Sequence, residues 1–451
     1  MSSAQSTSPA SPEPSPRLPP GPPLPRVAQT AGFILGGARF LEACRRRYGD
    51  AVTFRTLFDS PFVMVFDPEL VKQVFQGSAA QLHAGEANAL LGPVLGPRSV
   101  LLLDGSEHLR HRRLMLPTFH GERMRQYAQA MREAADAEID AWPLGRPFAI
   151  LPSMQALTLR VIIRAVFGYG PGPEEEELRR RLRAMIEPVA RPRGLLLLTL
   201  LERFRSGGRA AAEFEARRRA VDELLFAEIA HRRDDPELAR RGDVFSALLL
   251  AEDEDGRALS DQEVRDELIT LLLAGHETTA TGLAWTFDLL LHHPEVLSRA
   301  LEGEEAYLDA LIKESLRLRP VIPGVGRVVR GAPFQLDGYT IPEGVEINPS
   351  IRVVHRRADL YPDPAAFRPE RFLGPDAPDT YTWIPFGGGV RRCLGASFAQ
   401  LEMRIVVQRV LERVRLRAAS AEPERPVFRG IALAPRGGVR VVVEAHRRPA
   451  A

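Results

Sequence analysis

Apolar residues at helical spacing fill most of the chain between residues 107 and 320. Within this region, the run EEEELRRRLR at 174–183 pairs acidic and basic residues four positions apart, as on a solvated helix face. The longest helical pattern begins at Ser260, which can form a capping box with Glu263, and continues to His292. At 1.5 Å per residue it predicts a helix roughly 48 Å long, which must cross the whole domain.

Strand-like segments are short and lie towards the two ends of the chain. AVTFR at 51–55 and FVMVF at 62–66 predict a hairpin. FQLDGYTI at 334–341 and VRVVVEA at 439–445 predict further strands. So few strands beside so much helix predict a fold that is mainly α with a minor β-sheet region.

The low-complexity segment at the start of the chain predicts the domain organisation. Residues 1–25 are too rich in Ser and Pro to pack, and we expect a disordered lead-in there. Residues 26–451 show no second linker and no fixed-period repeat, so we expect a single domain. Inside it, the apolar run RPRGLLLLTLLERFRSGG at 191–208 fits either plain core or a lid over a ligand cavity.

Composition excludes several classes of function. The formal net charge of +2 gives no reason to expect a nucleic-acid partner. Two cysteines, Cys44 and Cys393, are too few for an iron–sulfur cluster or a structural zinc site, and fit a reducing cytoplasm. The apolar run GLLLLTLL at 194–201 is far shorter than the ~20 residues needed to span a bilayer. We therefore expect a soluble, cytoplasmic protein without a membrane anchor.

One of the two cysteines lies in a glycine-rich basic loop, FGGGVRRCLG at 386–395. The loop lacks the Walker pattern of a phosphate site, and no neighbouring His supports a nucleophile. A buried structural cysteine is one interpretation. Alternatively, backbone amides and the start of a following helix at 396–411 would favour a thiolate at Cys393. A sheltered thiolate of this kind is suited to be the axial ligand of a haem iron.

Three other groups of residues carry candidate chemistry. The centre of the long helix reads AGHETT, where Glu277 and Thr278 place an acid beside a hydroxyl, although paired threonines often only bond the preceding helical turn. Glu314 and Arg317 are spaced as an ordinary helical ion pair. His108 and Arg112 share one helix face, which from spacing alone could be a basic surface patch.

Taken together, these motifs resemble the cytochrome P450 family, of the soluble bacterial type. The haem-ligand signature F-x-x-G-x-R-x-C-x-G is matched by Phe386, Gly389, Arg391, Cys393 and Gly395. The pattern [AG]-G-x-[DE]-T-[TS], the pair E-x-x-R with a following FRPERF, and H-x-x-x-R are matched as well. The matches follow the family order over roughly residues 50 to 445, which makes chance agreement improbable.

The resemblance implies a P450 fold whose long helix crosses over haem b (iron protoporphyrin IX), with Cys393 as the iron ligand. It implies that Thr278 and Glu277 deliver protons to bound dioxygen. It also implies that Glu314, Arg317 and Arg371 form a structural triad. It further implies that the haem propionates are bound by His108, Arg112, Arg327 and Arg391. Phe386 would shield the sulfur, in a loop shaped by Gly389 and Gly395. Ala274 and Gly275 would leave room for O2 and substrate.

The same resemblance implies a monooxygenase acting on a lipophilic small molecule such as a fatty acid, terpenoid, steroid or macrolide. The substrate pocket would be walled by residues 82–100, a lid at 190–205 and the centre of the long helix. Because the haem motifs occupy nearly the whole chain, electrons would come from a separate ferredoxin or flavodoxin with its NAD(P)H-dependent reductase, and we expect a monomer. The expected docking charges are Arg391 and Arg392, with Arg110 and Arg113 contributing.

Rival functions on the same fold remain open at this point. A peroxide-driven enzyme, an isomerase or a dehydratase needs no oxygen-activating relay, and neither does a non-catalytic haem protein that binds another protein. The intact pair of Glu277 and Thr278 favours the monooxygenase. The segment between Pro294 and Glu314 is shorter than in many relatives, which implies a trimmed surface helix or loop.

Overall fold

A computed structural model describes residues 17–57, 61–119, 123–190 and 208–447. Helices dominate this part of the chain, which confirms the predicted class. The α-helices are α1 Arg26–Ala31, α2 Ala38–Tyr48, α3 Pro68–Gln76, α4 Ala84–Ala87, α5 Gly92–Leu95, α6 Gly105–Met115, α7 Arg123–Asp140, α8 Ile150–Phe167, α9 Pro173–Ala190, α10 Arg209–Arg233, α11 Val244–Leu250, α12 Asp261–Leu291, α13 Pro294–Ala300, α14 Glu305–Leu318, α15 Ile351–Val354 and α16 Ala396–Arg413. Shorter 3₁₀ or π turns occupy Gly32–Gly36, Ala89–Leu91, Leu116–Phe119, Leu238–Arg240, Pro369–Phe372 and Gly389–Arg391.

The strands form small sheets beside the helices. The largest has the order β1-β2-β8-β5-β3, and the predicted hairpin of β1 and β2 is confirmed as its antiparallel edge pair. A three-stranded sheet has the order β4-β12-β9, and β6-β7 and β10-β11 are separate hairpins. The strand bounds are β1 Ala51–Phe54, β2 Phe62–Val65, β3 Leu82–His83, β4 Phe148–Ala149, β5 Arg327–Val329, β6 Phe334–Leu336, β7 Tyr339–Ile341, β8 Glu346–Pro349, β9 Val414–Ala418, β10 Pro426–Arg429, β11 Ala432–Pro435 and β12 Arg440–His446.

The long helix α12 is the centre of the main hydrophobic core. Its 31 residues begin after a capping box, in which the Ser260 hydroxyl accepts from the Glu263 amide and the Glu263 carboxylate accepts from the Ser260 amide. The helix packs along α8 and α16, and most of its length is buried. A buried helix of this length holds any side chain at its midpoint in the interior of the domain.

The structural triad predicted from the sequence is present at the end of α14. Arg317 and Glu314 are fully buried and joined by two hydrogen bonds, from Nε and Nη2, of 2.6 and 2.8 Å. Arg371 approaches the same carboxylate with Nε 3.4 Å from Oε1. Arg317 also donates to the carbonyl oxygens of His355 and Ala366, so it fastens α14 to the chain that leads to the Cys393 loop.

Part of the segment expected to be a disordered lead-in, residues 17–25, is described by the structure. Residues 1–16 lie outside the described residues, but Arg17 pairs with Thr340 of β7, and the Thr53 amide of β1 donates to Pro20. The stretch 17–25 therefore packs on the sheets. Residues 191–207, most of the expected lid, also lie outside the described part.

Helix α8 has the length and hydropathy of a membrane span but the burial of a core helix. Its 18 residues have a mean hydropathy of 1.4, and 67% of them are buried inside the domain. It packs against α12 and α7. The apolar composition of α8 thus reflects its place in the core. Within the described residues, α8 is the one helix that is long and apolar enough to cross a membrane.

Candidate active site

The middle of α12 is accessible although the helix is otherwise buried. Residues 264–272 and 279–290 are buried, whereas Ala274 is exposed and Glu277 and Thr278 are half-buried. A helix at the centre of a core exposes such a stretch where it borders an internal space. The predicted ligand-facing segment of the long helix therefore faces open volume.

Gly275 has a packing role that the sequence did not predict. A Cβ at this position would lie 3.0 Å from Cδ1 of Ile162 on α8. The absent side chain lets the two helices approach closely. The Cβ direction of Gly275 is taken up by α8, and the expectation that Gly275 leaves room for a ligand stays a prediction. Ala274 is the residue of the pair whose side chain faces open volume.

An acid and a hydroxyl lie side by side on the accessible stretch. Gln155 of α8 donates from Nε2 to Oε2 of Glu277 at 2.8 Å, while Oε1 is buried and has no hydrogen-bond partner in the described part of the chain. Burial raises the pKa of Glu277, and the Gln155 hydrogen bond and the charge of Arg429 oppose that rise. The Thr278 hydroxyl donates to the Ala274 carbonyl oxygen at 2.6 Å. A carboxyl suited to hold a proton thus adjoins a hydroxyl.

The glycine-rich loop reaches its shape through close backbone contacts. The Cys393 amide donates to the Phe386 carbonyl oxygen at 2.9 Å. Gly389 has φ of +63°, and a Cβ there would collide with the carbonyl oxygen of Phe75 on α3, so only glycine fits. The Phe386 ring packs edge-on against Trp383, with ring centroids 5.9 Å apart. Gly389 thus allows the loop to pack on α3, a role that the sequence did not predict.

Open volume lies beside Cys393 as well. A Cβ at Gly395 would meet no described atom within 4 Å, and the Cys393 side chain is accessible. Burial nevertheless raises the pKa of the thiol, opposed by the Gly395 amide, which bonds the sulfur, and by the charges of Arg112 and Arg392. A side chain can be both accessible and surrounded by protein when it borders an enclosed space instead of the outer surface, and Cys393 is such a side chain.

Four predicted basic side chains come together near this loop. His108 and Arg112 lie on α6, Arg327 begins β5 and Arg391 precedes Cys393. Burial, and then the charges of the three arginines, lower the pKa of His108 to about 3, so its imidazole is neutral. Its Nδ1 is buried without a hydrogen-bond partner among the described residues. The cluster is therefore ready to receive an anionic group.

Asp104 anchors this cluster and was not predicted from the sequence. Arg391 donates from Nη2 to Oδ1 of Asp104 and to the Leu103 carbonyl oxygen, both at 2.5 Å. The same carboxylate accepts from the amides of Gly85 and Glu86 at 2.8 and 3.1 Å. One carboxylate thus orients Arg391 but leaves the cluster with an excess of positive charge.

Helices α12 and α16 bring the two halves of the site together. A Cβ at Gly282 on α12 would lie 3.2 Å from Cε of Met403 on α16, so the helices are in close contact one turn beyond Thr278. Helix α16 begins at Ala396, immediately after the Cys393 loop. The accessible stretch of α12 and the accessible cysteine are consequently held by one packed unit.

A family model described as cytochrome P450 matches residues 18–440. The chain belongs to the cytochrome P450 family. "Putative cytochrome P450 135B1" of Mycobacterium tuberculosis (strain ATCC 25618 / H37Rv) is 42% identical over 442 residues, which cover 95% of this chain and 92% of that protein. "Putative cytochrome P450 137" of the same strain is 41% identical over 444 residues, covering 94% and 90%.

Solved P450 structures share the fold of this chain. One titled "Retinoic acid bound cyanobacterial CYP120A1" superposes with a TM-score of 0.82 at 24% identity, covering 96% of this chain and all of that one. Another, "Crystal structure of cytochrome P450DA heme domain", has a TM-score of 0.80 at 23% identity, covering 96% and 99%. At these identities the likeness establishes the fold, which confirms the architecture predicted from the sequence.

P450 proteins bind haem b, and the residues of this site fit that group. The accessible sulfur of Cys393 would hold the haem iron, and the accessible middle of α12 would border the bound group. The unpartnered Nδ1 of His108 and the excess charge of its three arginine neighbours suit two propionates. Coordination to iron would also overcome the raised pKa of the thiol, because a metal-bound thiol is deprotonated.

Two of the four charges expected on a docking face are engaged in internal contacts. Arg391 points inwards to Asp104, and Arg110 bonds Asp253 at 2.7 Å and Glu263 at 3.3 Å. A guanidinium held by two acids contributes little positive potential to a partner. Arg392 is exposed, as is Arg113, whose side chain is 69% accessible and forms an exposed ion pair with Glu254 at 3.7 Å. The predicted docking face is therefore reduced to these last two residues.

Proposed function

We propose that this P450 is a haem-thiolate monooxygenase that hydroxylates or epoxidises a lipophilic small molecule. In this proposal Cys393 is the iron ligand, and Thr278 and Glu277 deliver protons. The observation that carries the proposal is the placement of Glu277. Its carboxyl is held by Gln155 at 2.8 Å and has one oxygen without a partner among the described residues, and Glu277 directly precedes Thr278 on the accessible stretch of α12.

Haem b, when bound, supplies the dioxygen activation, and the protein supplies ligand, orientation and protons. Cys393 would hold the iron from the loop side, with the Gly395 amide donating to its sulfur. His108, Arg112, Arg327 and Arg391 would hold the propionates. The phenyl ring of Phe386 packs into the core beside the loop and would shield the sulfur from water.

Glu277 and Thr278 form the proton-carrying pair. A carboxyl whose pKa is raised by burial remains protonated to a higher pH than an exposed glutamate, so Glu277 can store the proton that it passes on. The Thr278 hydroxyl donates to the Ala274 carbonyl oxygen and keeps its lone pairs as acceptors towards the open volume. A peroxide-driven enzyme, an isomerase or a dehydratase would have no use for this arrangement.

The walls available to a substrate are mainly apolar. Segment 82–100 contains β3, α4, the turn Ala89–Leu91 and α5, and Leu90 and Leu91 in that turn are half-buried against the main core. Leu271 and Leu273 precede the accessible stretch of α12. Such a lining favours a lipophilic guest through burial of apolar surface. We therefore propose a fatty acid, terpenoid, steroid or macrolide-like substrate.

Electrons are proposed to come from a separate ferredoxin or flavodoxin with its NAD(P)H-dependent reductase, to a monomeric and cytoplasmic P450. Arg392 adjoins the proposed iron ligand and is exposed, and Arg113 is exposed on α6 in a solvent-accessible ion pair with Glu254. An acidic partner docking there would be steered by charge, so its reduction rate should fall as ionic strength rises. A rate that is independent of salt would contradict this route of docking.

Replacement of Thr278 by Ala tests the proposed reaction directly. The variant should retain its haem and its substrate-induced change of iron spin state. We expect it to lose most of its product per electron consumed and to release hydrogen peroxide instead, because the hydroxyl beside Glu277 is missing. Measuring NAD(P)H consumption, product and peroxide with one lipophilic substrate decides the matter. Unchanged coupling, or wild-type turnover with peroxide and none with reductant and O2, would overturn the proposal.

A further inference from the structure

Three half-buried arginines lie together away from the haem site. Arg319 follows α14, Arg352 lies on α15 and Arg356 follows that helix. Arg356 donates from Nη2 to the Leu318 carbonyl oxygen at 3.2 Å, and the Arg352 amide donates to the Pro323 carbonyl oxygen at 3.1 Å. These two bonds bring α15 against the chain that leaves α14. Burial, and then the charge of Arg319, lowers the pKa of both Arg352 and Arg356, so the three guanidinium groups are near one another.

The three side chains lack carboxylate partners. Among the described residues, none of them forms an ion pair, and Nε of both Arg319 and Arg356 is buried without a hydrogen-bond acceptor. The neighbouring Arg357 shows what a satisfied arginine looks like in the same turn. Its guanidinium bonds Asp359 at 2.6 Å and Asp50 at 3.0 Å. The lack of acidic partners is thus specific to the three clustered arginines and is not shared by the next residue in the chain, Arg357.

The electrostatics of the cluster are unfavourable as it stands. Burial, followed by the charges of Arg319, Arg352 and Arg317, lowers the pKa of Arg356 to about 10. Asp288 is the acid that acts on Arg319, but both of its carboxylate oxygens already face the Glu424 amide, at 3.2 and 3.3 Å. Like charges brought together in a partly buried place are costly unless an opposite charge joins them.

We propose that Arg319, Arg352 and Arg356 form a binding site for a small oxyanion, a phosphate or a carboxylate. Guanidinium forks match the planar edges of both groups, and two unused buried N–H donors supply directed hydrogen bonds. The Arg319 guanidinium lies over the Trp285 ring, with Cζ 5.1 Å from the centroid, and this contact helps to hold the group in place. A small ion fits because the side chains are half-buried, and a protein surface would not reach the buried Nε atoms.

The site would stabilise one particular segment. Arg319 begins the stretch that ends at Arg327, which is a proposed propionate partner. An anion bridging Arg319 to Arg352 and Arg356 would fasten the start of this stretch to α15. Its binding is then expected to raise the thermal stability of the folded protein.

Thermal unfolding of the haem-loaded, full-length protein tests the proposal, since the propionates then occupy the other basic cluster. The midpoint is followed while inorganic phosphate replaces chloride at constant ionic strength in the low millimolar range. We expect a saturable rise of a few degrees. Arg352→Gln should weaken the apparent phosphate affinity about tenfold or more. Arg26→Gln, at an exposed arginine on α1, is the matched control and should respond like the wild type.

Parallel titration with acetate distinguishes the two oxyanions. A rise with acetate and none with phosphate assigns a carboxylate, and the reverse assigns phosphate. A response that grows linearly without saturation, as a general salt effect does, would overturn the site. So would a saturable rise that Arg352→Gln retains in full. If Arg352→Gln fails to fold, Arg356→Gln is used in its place. In either case, the wild-type response to phosphate or acetate must be saturable for the site to stand.

Discussion

Gln155 of α8 and Glu277 of α12 are joined by a hydrogen bond of 2.8 Å from the amide Nε2 to the carboxyl Oε2. The bond holds one oxygen of Glu277, while the other, Oε1, is buried without a hydrogen-bond partner among the described residues. Because α8 and α12 pack together, the position of this carboxyl depends on the contact between two rigid helices. Gln155 is therefore a positioning residue for the proposed proton delivery.

Replacing Gln155 by Leu should impair proton delivery without affecting substrate binding. We expect the rate of product formation to fall about tenfold, a part of the 10²–10⁴-fold that a positioned acid contributes, while KM stays near the wild-type value. The Gln155 hydrogen bond lowers the pKa of Glu277, so its loss raises that pKa. The fall of activity at alkaline pH should consequently move to higher pH.

Thr158→Val provides the control for that experiment. Thr158 lies one turn along the same helix and bonds His276, at 3.1 Å to Nδ1 and 3.0 Å to the carbonyl oxygen, rather than Glu277. The Thr158→Val variant should reproduce any general disturbance of the α8–α12 contact. Its activity should nevertheless depend on pH in the same way as that of the wild type. Equal profiles for both variants would show that Gln155 acts only through packing.

The buried carboxyl of Glu277 should also leave a signature in stability. Burial raises its pKa in the folded state above the value in the unfolded chain. The protonated Glu277 carboxyl therefore contributes its full share to the stability of the folded protein at pH values below its unfolded pKa of about 4.3. This contribution is lost as the pH rises through the pKa of Glu277 in the folded protein. Glu277→Gln removes the titration.

The thermal midpoint of Glu277→Gln relative to wild type should accordingly increase as the pH is raised from about 4 to 8. Differential scanning calorimetry of both proteins across that pH range measures this difference in midpoint. A constant difference in midpoint would mean that Glu277 has the same pKa in the folded and unfolded protein.

The packing role of Gly275 predicts a compensating pair of substitutions. Gly275→Ala adds a Cβ that lies 3.0 Å from Cδ1 of Ile162, and overpacking of this kind costs about 1–3 kcal/mol. Ile162→Val removes that Cδ1. The double variant should therefore regain part of the lost stability, which a double-mutant cycle of unfolding free energies reveals. Additive losses would show that the two side chains do not meet.

Sequence patterns were sufficient for features that depend on local chemistry. The capping box at Ser260 located the start of α12, and the two strand-like runs at 51–55 and 62–66 located the hairpin of β1 and β2. The ion pair of Glu314 and Arg317 follows from helical spacing and is present as predicted. Each of these signals lies within a few residues of the feature that it predicts.

Features that depend on contacts between distant segments could not be predicted in this way. Gln155 and Glu277 are 122 positions apart, and no pattern around Gln155 marks it. The partner of Arg391, Asp104, lies 287 positions away, so the sequence suggested a docking charge as well as a propionate partner but did not suggest this half-buried pair. The tight approach of Gly389 to Phe75 is likewise visible only in the folded chain.

The central claim is that Cys393 is the thiolate ligand of the haem iron. The most direct test is the carbon monoxide difference spectrum of the reduced wild-type protein and of Cys393→Ala, with Cys44→Ala as the matched control. We expect the red-shifted haem-thiolate Soret band in the wild type and in Cys44→Ala, because Cys44 is buried in a separate cluster with Leu41 and Phe54. The band should be lost in Cys393→Ala. Its absence from the wild type, or its survival without Cys393, would contradict the account.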